Sequence, residues 1–456
     1  MRPYAIRHFI TLLKAGLFSV LAALPIMALS AIICAAPVSA AESPSQLDNK
    51  HSPVRLTLPE AYSKALAASE TLAAKKEGIR QLEAAEKTIK ASFRPSVSLN
   101  GQHYKYRNED AQTNMWLSAS YSLFSGMRDY ILLKAAGKET EAGNLELESA
   151  RRNLFLNVAS AYLNLYKAQE KADILKEQIR LTEKRISHLK WRADVGRSRR
   201  SEVIAAQTQL AQNKADHTAA LAEIYSCQKT LGFLTGIDGD ISVEKPKKNK
   251  ILPYEEYLKN LERRDDIQAA RRKADAYSDR ADAEARKAYP TVSLSGNYYP
   301  VRHPMPNQDR RWQAAIGVEM PLYTGGQLAA GRESAESKKN AAETELAGLI
   351  RQSRMELEAA YSDYRYSEQR YAALEQAARL AAENVRLQED DYSKMLVTNL
   401  DVLSAMTTAQ SAKTALVNAE AEMRYAFYRL ENLAGMPIAD SPEAKQAKSS
   451  GEGEIQ

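Results

Sequence analysis

The 456-residue chain carries 63 basic and 57 acidic side chains, a net +6; without residues 1–40, which hold three basic and no acidic residues, 60 face 57, or +3. So balanced a chain gives no argument for nucleic-acid binding. Of its two cysteines, Cys34 lies in that N-terminal segment, so Cys227 has no internal disulfide partner; beside Tyr225, Leu231 and Phe233 it reads as a small buried apolar residue.

In chain order, Arg2, Arg7 and Lys14 precede an apolar run from Ala15 to Ala36, and Val38-Ser39-Ala40 supplies small residues for cleavage. Residues 1–40 are predicted to be a secretory signal. The run is longer than most such signals, which keeps an uncleaved anchor as an alternative. A lipid-modified Cys34 is not expected, because Ile33 stands where a small residue is wanted. A helix is predicted over Leu58–Ser92, opened by the capping box Thr57-Leu-Pro-Glu60. A strand hairpin over 95–126 follows. Met115, Leu117, Ala119, Tyr121 and Leu123 share one face and Ser118, Ser120 and Ser122 the other, while 96–106 alternates more weakly around Val97 and Leu99.

The helical hairpin 127–236 comes next. No proline occurs between Pro95 and Pro246, so nothing there breaks a very long helix. Leu154, Val158, Ala161, Leu165, Ala168, Ala172, Leu175, Ile179, Thr182, Ile186 and Leu189 alternate four-three spacing, a heptad seam. A helix from about Arg128 to Ala193 would be roughly 100 Å long at 1.5 Å per residue. It turns at Gly196-Arg-Ser-Arg-Arg200, and the return helix stops near Gly236. Residues 237–252, with Lys245-Pro-Lys-Lys-Asn-Lys250, read as a charged, solvated linker.

The chain then repeats itself. Leu123-Phe-Ser-Gly126 returns as Leu322-Tyr-Thr-Gly325, Ser201-Glu-Val-Ile204 as Leu400-Asp-Val-Leu403, and Leu231-Gly-Phe-Leu-Thr-Gly236 as Leu430-Glu-Asn-Leu-Ala-Gly435, all at an offset of 199. Pro95-Ser-Val-Ser-Leu-Asn-Gly101 returns as Pro290-Thr-Val-Ser-Leu-Ser-Gly296 at 195. Residues 41–236 are thus a first structural repeat and 253–436 a second. The second holds a helix over Pro253–Ala288, a strand hairpin over 290–324 and a helical hairpin over 325–436. Its long helix runs from about Gln327 to Lys394, turns at Met395-Leu-Val-Thr-Asn399 and returns to Gly435. The shifted seam reads Leu357, Ala360, Tyr364, Ser367, Tyr371, Leu374, Ala378, Ala381 and Val385. Trp312, Ala314, Ile316, Val318, Met320 and Leu322 form the apolar strand face. Residues 437–456 are a polar tail.

Each strand has about ten residues, the length of a tilted membrane-crossing strand. One apolar face and one small, polar face suit lipid outside and a wet lumen inside. Four strands cannot close a barrel, and an open edge in lipid is costly. The strands must therefore be pooled between chains; two chains give eight and three give twelve, and the strand count does not choose.

No catalytic arrangement is expected, and no cofactor. His8, His51, His103, His188, His217 and His303 are scattered without metal-ligand spacing. Gly325-Gly-Gln-Leu-Ala-Ala-Gly331-Arg332 lacks the Lys-Ser/Thr of a phosphate loop.

The duplication, the strand-end motifs Leu123-Phe-Ser-Gly126 and Leu322-Tyr-Thr-Gly-Gly326, and the segment Tyr392-Ser-Lys-Met-Leu-Val-Thr-Asn-Leu-Asp401-Val-Leu403 together resemble the TolC family of outer-membrane efflux and secretion channels. The resemblance implies a fold that is mainly α with a transmembrane β-barrel portion. It implies a homotrimer, with a twelve-stranded barrel in outer-membrane lipid and an α-helical barrel through the periplasm. It also implies a passive exit duct that docks a periplasmic adaptor and an inner-membrane transporter of an efflux or type I secretion system. The tip turns, with Gly196, Arg197, Arg199, Arg200, Leu396 and Thr398, are expected to contact the adaptor. Glu202 and Asp401, equivalent across the repeat, would ring the periplasmic entrance and favour cations; alternatively each pairs with a tip arginine. The chain departs from the family at Met395, where glycine is usual, and at Ser404, where some members hold an aspartate. Two other readings compete: a periplasmic coiled-coil adaptor held by an uncleaved N-terminal anchor, and an adhesive outer-membrane protein with a helical stalk.

Overall fold

The computed structural model describes residues 54–105, 107, 111–246, 251–301 and 311–436. The predicted signal 1–40, the linker residues 247–250 and the tail 437–456 lie outside them. Two 67-residue helices dominate, α3 (Arg128–Asp194) and α7 (Gln327–Ser393). Each is followed by its return helix, α4 (Arg200–Thr235) and α8 (Asn399–Leu433). At 1.5 Å per residue α3 and α7 are each about 100 Å long. The seam predicted on α3 is buried at Val158, Ala161, Leu165, Ala168, Ala172, Leu175, Thr182, Ile186 and Leu189. Its counterpart on α7 is fully buried only at Leu357, Ala360, Tyr364 and Ala378. α4 packs along α3 and α8 along α7, with α8 also touching α3.

The two helices expected before the strand hairpins are each broken. Leu58–Ser92 divides into α1 (Leu58–Ala68) and α2 (Glu70–Ala91) at Ser69, which ends one helix and caps the next. Its Oγ accepts from the Leu72 backbone N–H at 3.3 Å, an N-cap that competes with a continuous helix. Pro253–Ala288 divides into α5 (Tyr254–Asn260), a 3₁₀ turn (Leu261–Arg263), α6 (Asp265–Ala285) and a second 3₁₀ turn (Arg286–Ala288). There Arg264 is extended, and its guanidinium grips Asp266 with bonds of 3.0 and 2.6 Å. α6 then packs against both α3 and α7.

The linker 237–252 is only partly the solvated loop expected. Ile241–Val243 forms a short strand, β4, parallel to β1 (Val54–Leu56). Leu56, Ile241 and Val243 are buried, and the buried Tyr162 hydroxyl donates to the carbonyls of Leu56 and Glu244 at 3.1 and 2.7 Å. Three-residue strands show no period, so local pattern cannot reveal them. Cys227 is half-buried rather than buried, and its neighbours Tyr225 and Phe233 are 61% and 81% exposed. This face of α4 is left uncovered by its own chain. Burial and the nearby Glu223 carboxylate raise the Cys227 pKa, which favours an inert thiol.

The remaining strands are β2 (Ser96–Tyr104), β3 (Gln112–Phe124), β5 (Thr291–Val301) and β6 (Trp312–Glu319). They form one antiparallel sheet in the order β2-β3-β5-β6. β6 ends short of the predicted Leu322; Pro321, two residues on, has no N–H for a ladder. The central β3–β5 pairing joins the two repeats, with Ala119 opposite Gly296 and Ser120 opposite Ser295. Serines pair across the polar face: Ser96 with Ser120 and Ser98 with Ser118, each Oγ–Oγ 2.7 Å. The apolar face is uncovered, with Val97, Leu99, Trp312, Ile316 and Val318 all more than 60% exposed. Among the described residues the sheet is not closed, and one edge each of β2 and β6 pairs with nothing.

Candidate functional site at the helical hairpin tips

At the ends of α3 and α7 remote along the chain from the sheet, each long helix reverses over five residues. Val195–Arg199 does so in the first copy and Lys394–Thr398 in the second. Gly196 takes φ +74° and Met395, its equivalent, φ +63°. The turns stand on an apolar cluster that both hairpins share: Ile186, Leu189, Val203, Ala206, Val402, Leu403 and Met406.

Above that cluster the second tip reaches across to the first. The Tyr392 hydroxyl donates to Glu202 Oε2 at 3.2 Å, and Ser198 Oγ donates to the same oxygen at 2.6 Å. The guanidiniums of Arg185 and Arg192 lie 4.2 and 4.8 Å from the Tyr392 ring centroid, a cation–π clamp. Asn399, buried at the start of α8, accepts from Arg185 Nε at 3.0 Å and donates to the Glu202 carbonyl at 3.4 Å. Burial lowers the Arg185 pKa. A groove of about 620 Å³ opens beside this network, lined by Arg185, His188, Trp191, Arg192, Glu389 and Tyr392 among others.

Asp401 faces different partners. Its Oδ2 accepts from the Thr398 backbone N–H at 2.8 Å and from Thr398 Oγ1 at 2.6 Å, which closes the capping box of α8. The Thr398 hydroxyl, then its N–H, hold the exposed Asp401 carboxyl below its ordinary pKa. Glu202 and Asp401 are therefore equivalent in sequence but not in contact: one ties two hairpins, the other caps its own helix. Neither forms an ion pair with Arg197, Arg199 or Arg200 within the chain. Those three arginines are exposed, as are Thr398, Met395, Leu396 and Leu400. Sequence reasoning missed Arg185 and Asn399. Arg185 lies off the heptad seam, and an asparagine opening a helix reads as an ordinary cap. Tyr392 stood inside the motif quoted above, with no partner visible from spacing. Among the described residues no group of His, Cys, Asp or Glu is placed to hold a metal.

The family model described as "Outer membrane efflux protein" matches this chain twice, over residues 61–237 and 257–436. The chain belongs to the outer membrane efflux protein family. It is an outer-membrane protein with a large helical part in the periplasm. It is 23% identical over 396 residues to outer membrane efflux protein BepC of Brucella suis biovar 1, an alignment covering 84% of this chain and 86% of BepC. Against outer membrane protein TolC of Vibrio cholerae it is 22% identical over 347 residues, covering 72% and 79%. The crystal structure of outer membrane protein VceC from Vibrio cholerae superposes with a TM-score of 0.72 at 22% identity, covering 84% of this chain and 96% of that one. The four-stranded sheet and paired helical hairpins are thus the fold of these efflux proteins.

Proposed function

We propose that this protein is the passive exit duct of a tripartite efflux or type I secretion system. Three chains pool their sheets into a twelve-stranded barrel in the outer membrane, and their hairpins into a helical barrel through the periplasm. Each repeat, 41–236 and 253–436, supplies one strand hairpin and one helical hairpin. The observation that carries this reading is the open sheet β2-β3-β5-β6. Its apolar face is uncovered, and unpaired N–H and C=O groups along β2 and β6 cost several kcal/mol each in hydrocarbon. Only pairing with further copies removes both edges. The uncovered faces of α4 and α7, with Tyr225, Phe233, Tyr366, Leu380 and Leu387 exposed, support the same assembly.

In that assembly the tips around Gly196, Arg197, Arg199, Arg200, Leu396 and Thr398 meet a periplasmic adaptor and, through it, an inner-membrane transporter. Glu202 and Asp401 lie at the periplasmic entrance. The adaptor reading of this chain is not favoured, because an adaptor has no use for a sheet with a lipid-type face. Mass measurement of the detergent-solubilised protein, followed by conductance in planar bilayers, tests the proposal. A trimer that conducts is expected. A stable monomer with intact strand content refutes it.

A further inference from the structure

The two tips are built alike and charged oppositely. Residues 190–202 hold Lys190, Arg192, Arg197, Arg199 and Arg200 against Asp194 and Glu202, a net +3. The equivalent residues 389–401 hold Lys394 against Glu389, Asp390, Asp391 and Asp401, a net −3. Arg197, Arg199 and Arg200 are exposed, and no carboxylate of the described residues pairs with them. Their placement works against stability. Arg199 is the N-cap of α4 and makes no side-chain cap, and Arg200 is its first residue. Cations at a helix N-terminus oppose the macrodipole, where acidic residues would assist it. The second tip has the favourable arrangement, the Thr398–Asp401 capping box. Local helix stability therefore does not account for the three arginines.

We propose that the first tip is a cationic docking surface for an acidic segment of a partner protein. The inference rests on the exit-duct reading and adds the partner's chemistry: the segment that meets this tip carries carboxylates at its turn. A phosphate-rich membrane surface fits less well, because the adjoining tip, net −3 and with Asp390 and Asp401 exposed, would be repelled by it. A protein can present acid to one tip and avoid it at the other. Leu396 and Leu400 of the adjoining tip are exposed as well, so the same partner has apolar side chains to cover that a purely ionic surface lacks.

The test uses the full protein in detergent. Three synthetic two-helix hairpins serve as probes, identical except for three glutamates, three glutamines or three lysines at the turn. The glutamate hairpin is expected to bind about tenfold tighter than the glutamine one, as three exposed ion pairs would give, and the lysine hairpin weakest. The preference should vanish in R197E/R199E/R200E, persist in R197K/R199K/R200K, and fade in 0.5 M salt as the Debye length shrinks to about 4 Å. Equal binding of the glutamate and glutamine hairpins overturns the proposal. So does cosedimentation with phosphatidylglycerol vesicles that is lost in the glutamate variant, which would make the partner a membrane. A rise in planar-bilayer conductance of that variant also overturns it, since the arginines would then be holding neighbouring copies of this chain. The mass and conductance of the parent decide the exit-duct reading separately.

Discussion

Gly196 and Met395 occupy the same position in the two tip turns, 199 residues apart, and both have left-handed backbone, φ +74° and +63°. Glycine adopts that conformation freely, whereas a side chain there costs about 1 kcal/mol or more. The base of the long helices shows the reverse pairing: Met127 has φ +64° and its equivalent Gly326 has φ +89°. Each copy thus holds one strained methionine, at opposite ends of its long helix. Met395→Gly is expected to stabilise the second tip by about 0.5–1 kcal/mol, read as slower amide exchange over 390–400. Gly196→Ala, which meets no neighbouring atom within 4 Å, should speed exchange at the first tip through backbone strain alone. Unchanged exchange in both variants would show that the turns relax without cost.

Gly126 is constrained differently. A Cβ there would lie 2.8 Å from Tyr289 Cβ and 3.2 Å from the Arg286 carbonyl oxygen, and φ is +65°. Strain and clash add, so Gly126→Ala should destabilise the junction of sheet and helices by more than about 2 kcal/mol. Its equivalent Gly325, also at positive φ, has open space around it. Gly325→Ala should cost only the backbone term. Yield of folded protein after extraction compares the two, and equal loss would contradict the close approach at Tyr289.

Tyr392→Phe removes the hydroxyl that reaches Glu202 but leaves the ring between Arg185 and Arg192. A net loss of about 1.5–3 kcal/mol is expected for a hydrogen bond to a charged group. The tips should then separate more readily, seen as a larger open conductance in planar bilayers. Conductance equal to that of the parent would mean that Asn399 and the apolar cluster hold the tips unaided.

Asp401 caps α8 through Thr398, and the proposed exit duct gives it a second role to test. Its pKa is lowered in the folded chain by the Thr398 hydroxyl and N–H. Stability from the cap is therefore present above the ordinary carboxyl pKa of 3.8 and is lost as pH falls through the lower folded value. Acidification should loosen the start of α8 only below the ordinary carboxylate range, measured by amide exchange at 399–403. If Asp401 also lines the entrance, Asp401→Asn lowers cation preference and shifts the reversal potential in a KCl gradient. A variant equal to the parent in reversal potential and conductance would place Asp401 off the pore.

The long helices, their seams and the duplication were legible in the sequence because each is a local or strictly periodic property. Heptad spacing without proline over a long window admits little else, and the observed ends at Asp194 and Ser393 lie within a residue of those expected. Alternation likewise marked β3, whose serines pair across the polar face. Long-range contact decided the rest. The order β2-β3-β5-β6 depends on one repeat's strand meeting the other's, and no spacing within either repeat encodes it. β1 and β4 are too short to show a period and form only because Tyr162 and the buried core hold them together. At the tips, equivalent positions suggested equivalent roles for Glu202 and Asp401, yet tertiary structure separated them. Tyr392 and Ser198 claim the first carboxylate and the cap of α8 claims the second, because a side chain's partner is set by what the fold brings within about 3 Å, not by its place in a repeat.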